Sequence, residues 1–187
     1  MFSWSCLMSR SMILAARSCA LATVIVLLGA APARADTSSG TIALALTVTN
    51  ACVVNGAGAV QSNVGSLGTI RFTDQPGIFG NVDGQLVGSL GTLQVLCSPG
   101  VTPALTIGAG ANDAAGKHHL ASGGNTVAYR LFSDSARTSE ITIGQQLALG
   151  TATTTAISVP IYARVNSAGA VLPAGSYADT VQVTLSW

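Results

Sequence analysis

Two segments of the chain alternate strictly between apolar residues and polar or small ones. Residues 40–54 read GTIALALTVTNACVV, and the apolar side chains of one face are Ile42, Leu44, Leu46 and Val48. The last seven residues repeat the pattern with Val181, Val183, Leu185 and Trp187. A period of two predicts a half-buried β-strand. We therefore expect a module that donates one strand edge and leaves another edge open.

Short runs of the same kind fill the sequence between these segments. Turn-forming residues separate them, as at Asp74–Gly77 and Asn81–Gly84. Pro160 interrupts one run and predicts a sheet edge or a bulge there. No segment has helical periodicity, so the sequence predicts an all-β sandwich. The runs are 64–72, 91–97, 104–107, 127–132, 141–143, 157–165 and 180–187.

The first 35 residues have the features of a secretory signal peptide. Arg10 and Arg17 precede an apolar run at 20–31, and Ala33-Arg34-Ala35 fits a cleavage site. A membrane anchor needs about 20 apolar residues. Arg17 and Arg34 bound this apolar run too tightly for such an anchor. We expect export and three parts: a signal peptide at 1–35, a donor segment at 36–50 and a β-sandwich at 51–187.

The net charge argues against nucleic-acid binding, and the cysteine content favours an exported protein with one disulfide. Residues 36–187 carry five Arg or Lys and seven Asp or Glu, a net charge of −2, so no basic surface for nucleic acid is expected. Cys52 and Cys97 are the cysteines beyond the signal peptide, and in an exported chain they most simply form one disulfide. A zinc site or a reactive thiol is the rival interpretation, but no CxxC motif or nearby histidine supports it.

Catalytic chemistry is sparse. His118 and His119 are the only histidines, and they follow a polar stretch at 112–117 that predicts a solvated loop. No nucleophile motif, phosphate-binding loop or dinucleotide fingerprint is present, so we expect neither catalysis nor a cofactor nor a metal. A metal-dependent enzyme that uses the two histidines is the remote alternative.

The order of four short motifs resembles the spore coat protein U domain family. They are the alternating strand that leads into Cys52, the stretch Leu67-Gly68-Thr69 to Asp74, the strand LQVLC at 93–97, and the ending AGSYADTVQVTLSW at 174–187. The last is similar to a family signature of the form GxYxDTVxVTxxW. The similarity extends over essentially all of the chain after the predicted signal peptide. The family includes subunits of archaic chaperone–usher pili.

The resemblance implies an immunoglobulin-like β-sandwich that lacks one strand and exposes an apolar groove. It implies that a periplasmic chaperone fills the groove first, and that a neighbouring subunit replaces the chaperone at an outer-membrane usher. The donor residues would be Ile42, Leu44, Leu46 and Val48, and the acceptor strand would carry Val181, Val183, Leu185 and Trp187. The implied function is a surface pilus subunit in adhesion and biofilm formation.

Two alternatives to this interpretation stay open in the sequence. Residues 40–54 could be the first strand of the chain's own sandwich, and residues 181–187 could lie in a complete sheet. The protein would then be a self-contained secreted carbohydrate-binding sandwich.

Overall fold

The computed structural model describes residues 36–187, and twelve β-strands and no helix occur among them, which confirms the all-β prediction. None of these residues forms a helix that could cross a membrane. The strands are β1 Cys52–Val54, β2 Thr69–Ile70, β3 Val82–Val87, β4 Leu93–Cys97, β5 Ala104–Gly110, β6 His118–Ser122, β7 Asn125–Phe132, β8 Glu140–Ile141, β9 Gln146–Ala148, β10 Ile157–Val159, β11 Tyr162–Val165 and β12 Val181–Ser186.

The strands pair in three antiparallel groups. One group has the order β1-β4-β10, and another has the order β12-β5-β9. The largest group has the order β2-β3-β11-β7-β6, with β8 added beside β7. In this arrangement β2 and β12 each end a group, so each has one side without a strand partner among residues 36–187. Residues of these two strands line the cavity that is described below.

Alternating side chains from the three groups form one core. On β4, Leu93, Val95 and Cys97 are buried while Leu96 is exposed, as period-two patterning requires. Leu105 and Ile107 of β5 pack into the same cluster. Burial of a Leu, Ile or Val side chain contributes roughly 1.5–3 kcal/mol, so the inward face of these two strands accounts for much of the stability.

Pro160 divides a predicted continuous run into two strands that belong to different groups. Residues before it form β10 against β4, and residues after it form β11 between β3 and β7. Proline cannot donate a ladder hydrogen bond, which ends the pairing with β4 at this point. The run at 157–165 therefore crosses from one group to another.

Two turn or loop predictions are wrong. Residues 81–84 were expected to turn, yet Val82–Val87 form β3. Asp83 accepts hydrogen bonds from Arg164 Nε and Nη2 at 2.7 and 3.0 Å, and a Cβ on Gly84 would lie only 2.7 Å from Ile70 Cγ2. These tertiary contacts stabilise Asp83 and Gly84 in a strand, although both residue types favour turns. The predicted loop histidine His118 lies in β6 and is described below.

The predicted strand at 40–54 forms only at its end. Cys52–Val54 make β1, whereas residues 36–51 belong to no strand of the described chain. The side chains of Ile42, Leu44, Leu46 and Val48 are 80 to 89% exposed. These residues are therefore not the first strand of the chain's own sandwich. The signal-peptide prediction at 1–35 lies outside the described residues.

Candidate strand-binding groove

A long cavity of about 910 Å³ opens along β12. Its second wall is the segment 62–72, which includes β2, and its floor is the apolar core. We call this cavity the open groove. The floor side chains come from the inward faces of four strands and one connection, and they include Leu93, Val95, Leu105, Ile107, Tyr129, Leu131, Ile161 and Ala163. A cavity that reaches the core along a strand edge has the shape required by another strand.

Strand β12 presents both a backbone edge and apolar side chains to the open groove. It pairs with β5 on one side, with Val183 opposite Ile107 and Leu185 opposite Leu105. Its other edge has no backbone partner in residues 36–187. Along the strand, Val181, Val183 and Leu185 are half-buried, whereas the residues between them are exposed. An open edge of this kind offers unpaired N–H and C=O groups with which another strand can pair.

All four predicted acceptor residues line the open groove. Val181, Val183, Leu185 and Trp187 are together on its β12 side, and Trp187 remains 49% exposed. The groove wall at 62–72 was missed as a functional element. Val64, Leu67, Ile70 and Phe72 are partly buried against the core, but glycine and serine between them obscure the alternation.

The predicted disulfide is confirmed, and it lies beside the groove. Cys52 of β1 is bonded to Cys97 of β4, and the two residues are direct partners across the antiparallel pair. Both are buried, and Cys52 also lines the open groove. The disulfide therefore fixes the first strand of the sandwich, which follows the exposed residues 36–50 in the sequence.

A hydrogen-bonded group of side chains lies at the β12 start of the open groove. We call Asn112, Asp113, His118, Tyr129 and Asp179 the polar cluster. Tyr129 Oη donates to Asp179 Oδ2 at 2.7 Å, and Asn112 donates to Asp179 Oδ1 from its backbone N at 3.1 Å and from Nδ2 at 3.0 Å. Burial, reinforced by the Asp179 carboxylate, raises the pKa of the Tyr129 hydroxyl well above its usual value. Tyr129 is therefore a permanent hydrogen-bond donor.

His118 occupies a buried position in this cluster, which corrects the solvated-loop prediction. Only 3% of the residue is exposed, and its ring stacks on Tyr129 with 5.3 Å between centroids. Nδ1 lies 2.9 Å from Asp113 Oδ1, while the buried Nε2 has no hydrogen-bond partner. His119, the next residue on the strand, is half-buried and lies with Nδ1 3.0 Å from the Lys117 carbonyl oxygen.

The polar cluster also has donor atoms of the type that bind metal ions. One ligand-type atom each from Asp113, His118 and Asp179 lies within 4.8 Å of the others. Gly110 N, however, donates to Asp113 Oδ2 at 2.7 Å, and every other carboxylate oxygen of the two aspartates also has a protein partner. Hydrogen bonds within the protein thus occupy all four carboxylate oxygens, whereas His118 Nε2 has no partner among the described residues.

Comparison with known proteins shows one family for almost all of the described residues. The family model of the Spore Coat Protein U domain matches residues 38–184. The chain is also similar to a chain in the crystal structure of the CsuC–CsuE chaperone–tip adhesion subunit pre-assembly complex, from archaic chaperone–usher Csu pili of Acinetobacter baumannii. That match has 18% identity and a TM-score of 0.47, and it covers 75% of this chain and 40% of the other. No curated protein matches the sequence.

Proposed function

Because the chain belongs to the Spore Coat Protein U domain family, we propose that it is a structural, non-enzymatic subunit of a surface pilus assembled by the chaperone–usher pathway. One observation carries the proposal. The same chain combines an open groove beside an unpaired strand edge with a separate stripe of four exposed apolar side chains in residues 36–50. In a monomer, the unpaired edge and the exposed apolar stripe would both favour aggregation. The groove lacks a strand, and the stripe is an apolar segment that lacks a partner surface.

The stripe has the chemistry that the open groove requires. Ile42, Leu44, Leu46 and Val48 alternate with small or polar residues, as do the half-buried apolar residues of β12. In strand addition, backbone hydrogen bonds to the free edge supply affinity, and alternate side chains enter pockets. Burial of four such side chains contributes at most roughly 6–12 kcal/mol before the entropy of strand ordering is subtracted.

This contact between copies propagates a fibre. The donor segment of one subunit fills the groove of the next, so the interface is head-to-tail and does not close on itself. Before assembly, a periplasmic chaperone supplies the missing strand, and an outer-membrane usher then exchanges it for a donor segment. The subunit would cross the inner membrane by means of the signal peptide at 1–35 and would function at the cell surface in adhesion and biofilm formation.

The charge distribution of β12 supports this assignment. Monomeric β-proteins usually protect an exposed edge with charged residues or proline. Residues 181–187 read VQVTLSW and contain neither. We assign this bare edge to a partner strand.

A deletion experiment tests the proposal directly. The complete chain and a variant without residues 36–48 are expressed in a bacterial periplasm, and the products are compared on SDS gels without boiling. We expect a heat-sensitive ladder of polymers from the complete chain and none from the variant. A compact monomer from the complete chain would instead show that the sandwich completes itself, and glycan-binding measurements would then test the carbohydrate-binding alternative.

A further inference from the structure

The polar cluster connects the beginning of β12 to two other parts of the sandwich. Asp179 lies two residues before Val181, the first residue of β12. Its carboxylate accepts a hydrogen bond from Tyr129 on β7, in a different group of strands. The same carboxylate binds Asn112, which follows β5. Asn112 Nδ2 also donates to the Ala178 carbonyl oxygen at 3.1 Å. The Asp179 side chain thus connects the beginning of β12 to the residues after β5 and to β7 of the largest group.

The pairing of β12 with β5 is irregular close to Asp179. Val183 pairs with Ile107, but Val181 pairs with Gly110, so the register of β12 on β5 shifts between these positions. A bulge disrupts the ladder locally and redirects the strand. Beyond the bulge, backbone hydrogen bonds of 3.0 Å join Ala111 N to the Thr180 carbonyl oxygen and pair Ala121 with Ala178. The side-chain hydrogen bonds of Asp179 add to these contacts and are the ones that connect this segment to β7.

The space at the bulge is occupied by the two carboxylates of the cluster. A Cβ added to Gly110 would lie 2.6 Å from Asp113 Oδ1 and closer still to Asp179 Oδ2. Glycine at this position therefore allows both aspartates to approach β5. His118 and Gly110 hold Asp113 in place through Oδ1 and Oδ2 respectively. The cluster is packed as a unit around this one backbone position.

We propose that Asp179 is a positioning residue for the open groove, which acts through Tyr129 and Asn112. It holds the beginning of β12 at a set distance from β7, so that the groove has its final width before an incoming strand arrives. Tyr129 and Asp179 both line the groove, which places this restraint next to the bound strand. The inference rests on the proposed function, because the incoming strand is the donor segment of a second copy.

Hydrogen exchange of the complete chain tests the restraint itself when the variants are compared in the same state of assembly. Tyr129→Phe removes only the hydroxyl that binds Asp179 and keeps the ring that packs on His118. Tyr177→Phe is the matched control, because its hydroxyl donates to the Pro173 carbonyl oxygen at 3.0 Å in the segment before β12. We expect exchange of the β12 amides to accelerate about tenfold or more in Tyr129→Phe, with β4 unchanged, and no such change in the control.

Equal acceleration in every strand of Tyr129→Phe would overturn the proposal, because it would show a general contribution to stability. Unchanged β12 exchange would overturn it as well. Asp179→Asn, which keeps the size of the side chain but weakens both sets of hydrogen bonds, should act on β12 at least as strongly as Tyr129→Phe.

A second measurement connects the restraint to assembly. Polymers of the complete chain, of Tyr129→Phe and of Tyr177→Phe are heated in SDS, and the temperature of dissociation is compared. We expect a lower temperature for Tyr129→Phe alone. If the wild-type chain forms no polymer, the proposed function fails, and the exchange data still decide whether Asp179 restrains β12. If all three polymers dissociate at the same temperature, Asp179 does not position the groove.

The same samples distinguish a metal centre from a hydrogen-bonded restraint. Ca²⁺ and Zn²⁺ are titrated separately while the thermal unfolding midpoint is recorded. We expect no metal-dependent shift for the wild-type chain. A saturable upward shift that disappears in Asp179→Asn and His118→Gln would overturn the proposal and reassign the polar cluster as a cation site.

Discussion

Residues 42–48 and residues 181–187 have the same alternating pattern and opposite structural outcomes. In the second segment, β12 pairs with β5, and its apolar side chains are half-buried along the open groove. In the first segment, no strand forms within the described chain, and the four apolar side chains are 80 to 89% exposed. The pattern of hydrophobic residues alone does not distinguish the two.

The difference shows what a period-two pattern specifies. It specifies that one face of an extended segment requires burial, but the partner surface must be found elsewhere. For β12 the partner is a strand of the same chain. For residues 42–48 we assign it to a second copy, and the following variants test that assignment in order of decreasing effect.

Leu44→Asp should abolish polymer formation. A charge placed on the buried face of the donor segment costs several kcal/mol when it enters an apolar groove without a partner. The variant should still form its complex with the chaperone, because its own groove is unchanged. The control is Ala45→Asp, which puts the same charge on the other face. Polymers of normal length from Leu44→Asp on unboiled gels would refute the proposed register.

Replacement of both Cys52 and Cys97 by serine should lower the free energy of unfolding of the sandwich by about 4 kcal/mol. The disulfide closes a loop with a sequence separation of 45 residues, and its loss enlarges the unfolded ensemble. Denaturant unfolding measures the effect, and the exposed segment 42–48 should be unaffected. Two free thiols in the native protein by mass spectrometry would contradict the disulfide itself.

Leu185→Ala should destabilise the free chain by about 1–2 kcal/mol, less than the roughly 2–5 kcal/mol typical of fully buried leucine. The side chain is only half-buried in the free chain. A donor strand bound in the proposed way would cover the rest of it. Polymer dissociation in denaturant should therefore change more than unfolding of the free chain does. Leu96→Ala is the control, because this leucine lies on the outward face of β4 and does not line the open groove, and it should change both measurements alike. An equal effect of Leu185→Ala on both measurements would argue against its place in the binding surface.

Acid should weaken the sandwich and leave the donor segment unchanged. Hydrogen bonds from Arg164, together with the charge of Arg137, hold the pKa of Asp83 below its usual range. A lowered folded-state pKa gives stability that is present above about pH 4 and is lost as pH falls through the folded value. The thermal midpoint of the free chain should fall over that range, and Asp83→Asn should make the midpoint less dependent on pH.

Residues 36–51 contain Asp36 as their sole ionisable side chain, so acid removes no ion pair within this segment.

The sequence predicted those parts of the fold in which local pattern and tertiary burial agree. The inward residues of β4 and β5 alternate as expected, and the disulfide joins the predicted cysteines. Strand β6 escaped prediction because its sequence, HHLAS, has no clear apolar face. His118 is buried there through Asp113 and Tyr129, which lie five and eleven residues away.

The groove was predictable from one side only. The pattern of β12 identifies one wall, whereas the wall at 62–72 depends on contacts that glycine-rich sequence does not reveal. Asp179 belongs to the family-like ending, but its partner Tyr129 lies 50 residues earlier, so the polar cluster has no local signature. Whether residues 36–50 act as the donor remains a prediction.

The position of the disulfide has a mechanical consequence for a fibre built in the proposed way. A pull on the donor segment enters the sandwich at β1, and Cys52 is joined across the pair to Cys97 of β4. Tension therefore passes through covalent bonds into two strands at once, and β1 cannot be peeled from β4 one hydrogen bond at a time. Under load, the non-covalent joint between subunits would yield before this anchor does.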